Sequence, residues 1–233
     1  MRSRLARVLV FGSIVLGMMP GAGVILPNPV QSSRIRIVCF GDSITAGSSE
    51  SERWTTLLQA RLDNTKPGWC QVVNRGIGGH TSAQGLDRIE KDVLELLPAV
   101  VLIEFGFNDC NTRPPFIVPR VGVEEYKKNL LEVHRLVAKN GTPVFIINHP
   151  ATREDMQGNG KSYRENMIPY DRALRSVVAE LNAASIDLPE MIASRKISLS
   201  EFLLPDGVHL STAGNKAYAE MVFDGLMKSG LLH

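Results

Sequence analysis

Short apolar runs rich in β-branched residues recur along the chain at 35–40, 71–74, 100–105 and 144–148, with a weaker one at 184–188. None alternates apolar with polar residues, which predicts parallel strands covered on both faces rather than half-exposed ones. Between the runs the apolar period lengthens to that of a helix. Residues 52–62 put Trp54, Leu57, Leu58 and Leu62 on one face, and 82–96 do the same with Leu86, Ile89, Val93 and Leu97. Residues 123–139 carry Tyr126, Leu130, Val133 and Val137, then stop at Asn140-Gly141, a helix-ending pair. The stripe at 170–182 is Leu174, Val177, Val178 and Leu181; that at 212–228 is Ala217, Tyr218, Met221, Val222 and Leu226.

Five rounds of strand then helix predict an α/β fold with a parallel sheet and right-handed crossovers. About 200 residues suit a five-stranded doubly wound sheet better than an eight-stranded barrel, which typically needs ~250. Ligands of such sheets bind beyond the carboxyl ends of the strands, where the strand order reverses. The chemistry is therefore expected in the segments that follow each strand.

The first thirty residues follow a different pattern. Arg2, Arg4 and Arg7 precede an apolar run from position 8 to 19, and Pro20, Gly21, Ala22 and Gly23 follow it. A basic start, a short apolar stretch and small residues describe a secretory signal peptide. The alternative is an N-terminal membrane anchor, since 8–26 approaches the ~20 residues that span a bilayer. Residues 31–233 are then the working domain, and membrane contact is expected only through 8–26 if they are retained. The whole chain has 26 basic and 24 acidic residues. Leaving out 1–30 removes three arginines and no acid, so the balance changes from +2 to −1. The mild basicity thus belongs to the expected leader, and a nucleic-acid partner held by broad phosphate neutralisation is not expected. At 44% hydrophobic and 21% charged the chain is not disordered. Cys39, Cys70 and Cys110 lack the spacing of a zinc or thioredoxin-like motif. Cys39 reads as a buried small hydrophobe, while Cys70 and Cys110 could pair only in an oxidising compartment.

Four segments carry the candidate chemistry. Gly41-Asp42-Ser43-Ile44-Thr45 follows the first strand, Asn74-Arg75-Gly76-Ile77-Gly78-Gly79-His80-Thr81-Ser82 the second, and Gly106-Phe107-Asn108-Asp109 the third. Asp206-Gly207-Val208-His209 precedes the last helix. Each has a structural reading when taken alone: a helix cap, a flexible turn, an Asx-turn, a chance pair. Together they supply a hydroxyl nucleophile, Ser43; a base, His209; an acid to orient it, Asp206; and neutral donors for a developing oxyanion. The donors are the backbone N–H groups of Ser43 and Gly79 and the amide of Asn108. There is neither a Walker-type phosphate loop nor a Gly-x-Ser-x-Gly elbow.

These four blocks, in this order, resemble the SGNH or GDSL hydrolase family over roughly residues 35–227. The resemblance places the four family letters on Ser43, Gly79, Asn108 and His209, with Asp206 completing the triad. It implies a three-layer α/β/α sandwich with flavodoxin-like strand order, and neither a metal nor another cofactor. His80 stands where family members commonly carry Asp. It and His149, at the end of the fourth strand, are candidate substrate contacts. Asp42 and Asp109 are expected to pin turns, and Glu104 to be buried and hydrogen-bonded. The loops 110–121 and 150–168 mix apolar and basic residues and are expected to select the substrate. The function implied is an exported serine esterase acting on a small-molecule, lipid or carbohydrate ester. Its rivals are a carbohydrate O-acetylesterase, a thioesterase or lysophospholipase, an acyltransferase, and a non-catalytic carbohydrate- or lipid-binding module.

Overall fold

The computed structural model describes residues 34–232. The expected leader at 1–30 lies outside them. Five strands form one parallel sheet: β1 (Ile35–Gly41), β2 (Cys70–Gly76), β3 (Val100–Glu104), β4 (Thr142–Ile147) and β5 (Ala184–Asp187), in the order β2-β1-β3-β4-β5. The helices of the sandwich are α1 (Ser43–Ala46), α2 (Trp54–Thr65), α3 (Ser82–Asp87), α4 (Ile89–Asp92), α5 (Val123–Val137), α6 (Tyr163–Leu181), α7 (Leu188–Ser194), α8 (Leu199–Phe202) and α9 (Thr212–Lys228). One face of the sheet carries α2 and α9; α3, α5 and α6 pack side by side on the other. The fold is the expected three-layer α/β/α sandwich with flavodoxin-like order.

The central strands behave as their unbroken apolar runs predict. Residues 37–41 of β1, all of β3 and 143–147 of β4 are buried. The edge strands do not: in β2 only Cys70 is buried, and in β5 only Ile186. Register places Gly41 beside both Gly76 and Glu104, so β1, β2 and β3 end level. The sequence order reverses between β1 and β3, and the chain leaves both at this edge.

Two expected helices differ from the structure. The segment 82–96 is not one helix but α3, α4 and a single 3₁₀ turn at Leu94–Leu96. The break falls at Arg88, with φ −115° and ψ 5°. Bending there lets its guanidinium donate to the carbonyls of Arg75 at 2.8 Å and Gly41 at 2.9 Å, and lie 4.5 Å over the Phe40 ring. These contacts outweigh the helical propensity of the segment. Conversely, α6 starts at Tyr163, seven residues before the stripe predicts. Ser162 and Glu165 form a capping box there, and Tyr163, Met167, Tyr170, Leu174 and Val177 are its buried stripe. Pro169 lies inside this helix and hides the pattern.

Cys39, Cys70 and Cys110 are all free and buried. Cys70 opens β2, at the amino end of the sheet, whereas Cys110 follows the carboxyl end of β3. A strand rises ~3.3 Å per residue, so the sheet's own length separates them beyond disulfide reach. Burial pushes the Cys70 and Cys110 thiols up to about 11 and about 12.

Candidate active site

The turn after β1 gives Asp42 and Ser43 separate tasks. Asp42 is the N-cap of α1; its Oδ1 accepts the Ile44 N–H at 2.9 Å. Capping therefore does not use the Ser43 hydroxyl, which donates to Nε2 of His209 at 2.9 Å. On the far side of the ring, His209 Nδ1 donates to Asp206 Oδ2 at 2.7 Å. The other Asp206 oxygen accepts the Val208 and His209 N–H groups, each at 2.9 Å. Three residues from two ends of the chain thus form one hydrogen-bonded line. Partial burial works to raise the Asp206 carboxyl, but these N–H groups and the ring outweigh it and hold it below the usual carboxylate range.

Asn108 is buried, and its Nδ2 donates to Asp42 Oδ2 at 3.0 Å. One amide hydrogen is fixed this way and the second stays free. The backbone that carries Asn108 is held by three side chains. Phe105 O accepts from Tyr126 at 2.8 Å and Asn148 at 2.9 Å, and Phe107 O from Tyr163 at 2.5 Å. Among the described residues the Ser43 and Gly79 N–H groups have no hydrogen-bond partner. Gly79 has φ +79° and is exposed in the turn closed by His80 N–H to Ile77 O, 3.2 Å. A residue with a Cβ is disfavoured at that angle.

What holds this turn is not visible in the sequence. Arg120, 41 residues further on, donates from Nη1 to Gly79 O at 2.7 Å and from Nη2 to Gln84 Oε1 at 3.1 Å. Gln84 Oε1 also accepts the Thr81 N–H at 3.1 Å as part of the α3 capping box. One guanidinium thus joins the glycine turn to a capped helix. No local period reports such a long-range contact; the only hint was the basic loop 110–121.

Beneath Ser43 lies a dry acidic floor. Asp42, Glu104 and Asp109 are buried. Glu104 Oε2 accepts from Thr45 Oγ1 at 2.9 Å and from the Asp42 N–H at 3.4 Å. A Cβ on Gly41 would come within 2.6 Å of Glu104 Oε2, so glycine is needed for the approach. Burial raises Glu104 to about 7, against the pull of those donors. Burial and the Glu104 charge raise Asp42 well above the ordinary range. Burial is the leading cause for both carboxyls. Asp109 rises to about 6 for the same reason, although Ser82 donates both its hydroxyl, at 2.5 Å, and its N–H, at 3.0 Å. These contacts match the expected pinning of turns by Asp42 and Asp109, and Glu104 is buried and hydrogen-bonded as expected.

His80 is half-buried next to Gly79, with its Nδ1 unpartnered, and burial lowers its basicity. His149 does not fit the expectation of a substrate contact. It is 1% exposed, packs 4.7 Å from the Phe107 ring, and its Nε2 donates to Val208 O at 2.8 Å. Burial lowers it to about 4, so it is a neutral peg under the loop that carries His209. Two cavities lie at this edge of the sheet, one against Ser43 and one against Gly79. One of about 330 Å³ is lined by Ser43, Ile44, Leu204, His209 and Leu210. The other, about 600 Å³, lies beyond Gly79 and is lined by Asn111, Arg113, Phe116, Val118 and Arg120.

A doubly wound parallel sheet with this order, carrying a serine, a histidine and a neutral donor pocket at its carboxyl edge, is the build of an SGNH-type ester hydrolase. Residues 39–217 match the GDSL-like Lipase/Acylhydrolase family, and the chain belongs to it. An isoamyl acetate-hydrolyzing esterase 1 homolog of Rattus norvegicus is 30% identical over 196 residues, covering 78% of this chain and 77% of the relative. The crystal structure of a lipase/acylhydrolase from Enterococcus faecalis superposes with a TM-score of 0.70 at 25% identity, over 84% of this chain and 96% of that one. Axe2, an acetylxylan esterase from Geobacillus stearothermophilus, shares the fold with a TM-score of 0.68 at 23% identity, over 82% and 94%. The protein is a carboxylic ester hydrolase.

Proposed function

We propose that the protein hydrolyses carboxylic esters through an acyl-enzyme on Ser43. The supporting observation is the line Asp206–His209–Ser43, at 2.7 and 2.9 Å, ending beside three unengaged donors. Ser43 Oγ attacks the ester carbonyl carbon while its proton passes to His209 Nε2. The carbonyl oxygen becomes an oxyanion facing the Ser43 and Gly79 N–H groups and the free Asn108 amide hydrogen. Asp206 stabilises the imidazolium and fixes the ring. As the carbon–oxygen bond to the alcohol breaks, His209 returns the proton to the leaving oxygen. Water then attacks the acyl carbon, gives its proton to His209, and the acid departs as Ser43 regains a hydrogen.

The about 330 Å³ cavity against Ser43 and His209 supports a compact reacting group, and so favours an O-acetylesterase over a long-chain thioesterase or lysophospholipase. Nitrophenyl esters of graded acyl length, run beside Ser43→Ala, test the reading. Turnover highest on acetate and abolished in Ser43→Ala is expected; a Ser43→Ala variant as active as the parent overturns it. The N-terminal pattern supports export, with residues 1–30 as the leader. Mass spectrometry of secreted protein should then find an N-terminus near 23–31, whereas an intact Met1 in soluble cytosolic protein contradicts export.

A further inference from the structure

The loop from Asn111 to Arg120 has an unusual tip. Phe116, Ile117 and Val118 are 66, 72 and 63% exposed in succession. Three large apolar side chains in a row in water are costly unless something covers them. The tip is not slack. Arg120 N–H donates to Asn111 O at 3.1 Å and closes the loop; Phe116 N–H donates to Arg113 O at 2.9 Å within it. Pro114, Pro115 and Pro119 restrict the backbone on both sides. A second segment lies alongside: Gly158 N–H donates to Thr112 O at 2.7 Å, and Thr112 N–H to Gln157 Oε1 at 3.3 Å. It adds Met156, 64% exposed.

The charges on the loop itself have one sign. From position 110 to 123 there is no acid. Nearby Arg153 and Arg164 are paired with Asp155 and Glu154. Among the described residues Arg113 and Lys161 make no ion pair, and Arg120 has only the neutral partners Gly79 and Gln84. A rigid apolar tip flanked on its own loop by cations without an acidic partner matches a surface that is negative outside and apolar beneath. A second copy matches less well, because a two-fold contact would set these cations against one another.

We propose that the rim of Phe116, Ile117, Val118 and Met156 docks on an anionic lipid surface. Arg113 and Lys161 face the headgroups and the tip enters the acyl boundary. The cavity beyond Gly79 opens at the same rim. The docking stands apart from the chemistry at Ser43 and can be read without it.

The test uses the full chain carrying Ser43→Ala, so the bilayer is not consumed. Ile117→Cys is added and labelled with an environment-sensitive fluorophore; the three native thiols are buried. A label at 117 reports this rim whatever residues 1–30 do. Vesicles of phosphatidylcholine and phosphatidylglycerol in equal parts should shift its emission to the blue, and phosphatidylcholine alone should not. Adding Arg113→Gln and Lys161→Gln should weaken partitioning roughly tenfold or more, as expected for two cations at an anionic surface. Unlabelled Ile117→Asp in the same Ser43→Ala background should sediment with the mixed vesicles about tenfold less while keeping the circular dichroism spectrum of its parent. No shift on mixed vesicles, or an equal shift on phosphatidylcholine alone, overturns the proposal. So does a shift that grows with protein concentration in the absence of lipid, which marks self-association.

Discussion

The two halves of the active site are built by opposite means. Ser43 and Asn108 stand on a dry floor, where Asp42, Glu104 and Asp109 lock turns and where burial raises every carboxyl. His209 and Asp206 stand on an open loop, their side chains 45% and 44% exposed, and Asp206 is lowered. Asp42 and Asp206 are the same residue type with opposite shifts. Burial makes the first a neutral-leaning brace; partial solvation and three donors make the second a standing anion. The contrast fits the proposed mechanism, in which one half positions groups and the other carries protons.

The largest expected effect tests the open half. His209→Ala should lower kcat by roughly 10⁴–10⁶-fold, since removing the base from such a unit removes nearly all its catalysis. Steady-state kinetics on an acetyl ester, with circular dichroism to check folding, measures it. A loss below about tenfold would place the proton traffic elsewhere.

The next effect tests the fixed half. Asn108→Ala should cost about 10²–10³-fold in kcat, or ~2.7–4 kcal/mol of barrier, the usual cost of one oxyanion donor. If KM rises and kcat does not fall, Asn108 binds the ground state and the division of labour fails.

Arg120 sharpens the comparison, because it braces an exposed part of the donor set. Arg120→Ala should lower kcat about tenfold with KM nearly unchanged, the signature of a group felt only in the transition state. Arg120→Lys, which keeps a cation but loses the two-armed bond, should recover only part of that. A rise in KM alone would make Arg120 a substrate contact.

The smallest effects are in stability, and they should have opposite signs. Glu104, raised to about 7, favours the folded state at low pH, and this contribution is lost as pH climbs from about 4.5 through 7. Glu104→Gln should therefore gain stability relative to the parent over that range. His149, lowered to about 4, favours the folded state above about 6.5, and this is lost as pH falls toward 4. His149→Phe should lose the acid-side part of the parent's decline. Urea midpoints measured from pH 4 to 8 give both slopes; parallel profiles for variant and parent would remove the asymmetry.

The same contrast explains what the sequence disclosed. The central strands were legible because β1, β3 and β4 are apolar on both faces, and the four candidate blocks because each sits immediately before or after a regular element. The acidic floor was half legible: Glu104 stood out as an acid in an apolar run, but its link to Thr45, 59 positions away, did not. Arg120 and the break at Arg88 were hidden, since a guanidinium chooses distant carbonyls that no local period encodes. His149 misled because a histidine at a strand's carboxyl end reads alike whether it faces the cleft or the core. The early start of α6 was written in Ser162 and Glu165 and masked by Pro169.

Ser43 and His209 touch across 166 positions of chain. A ribosome adding ~5–20 residues per second completes the serine's turn many seconds before it makes the histidine. Until the last loop docks, the growing polypeptide carries a hydroxyl with no base beside it. Regain of ester turnover during refolding is then a clock for that final docking, and it should lag behind the recovery of helical signal.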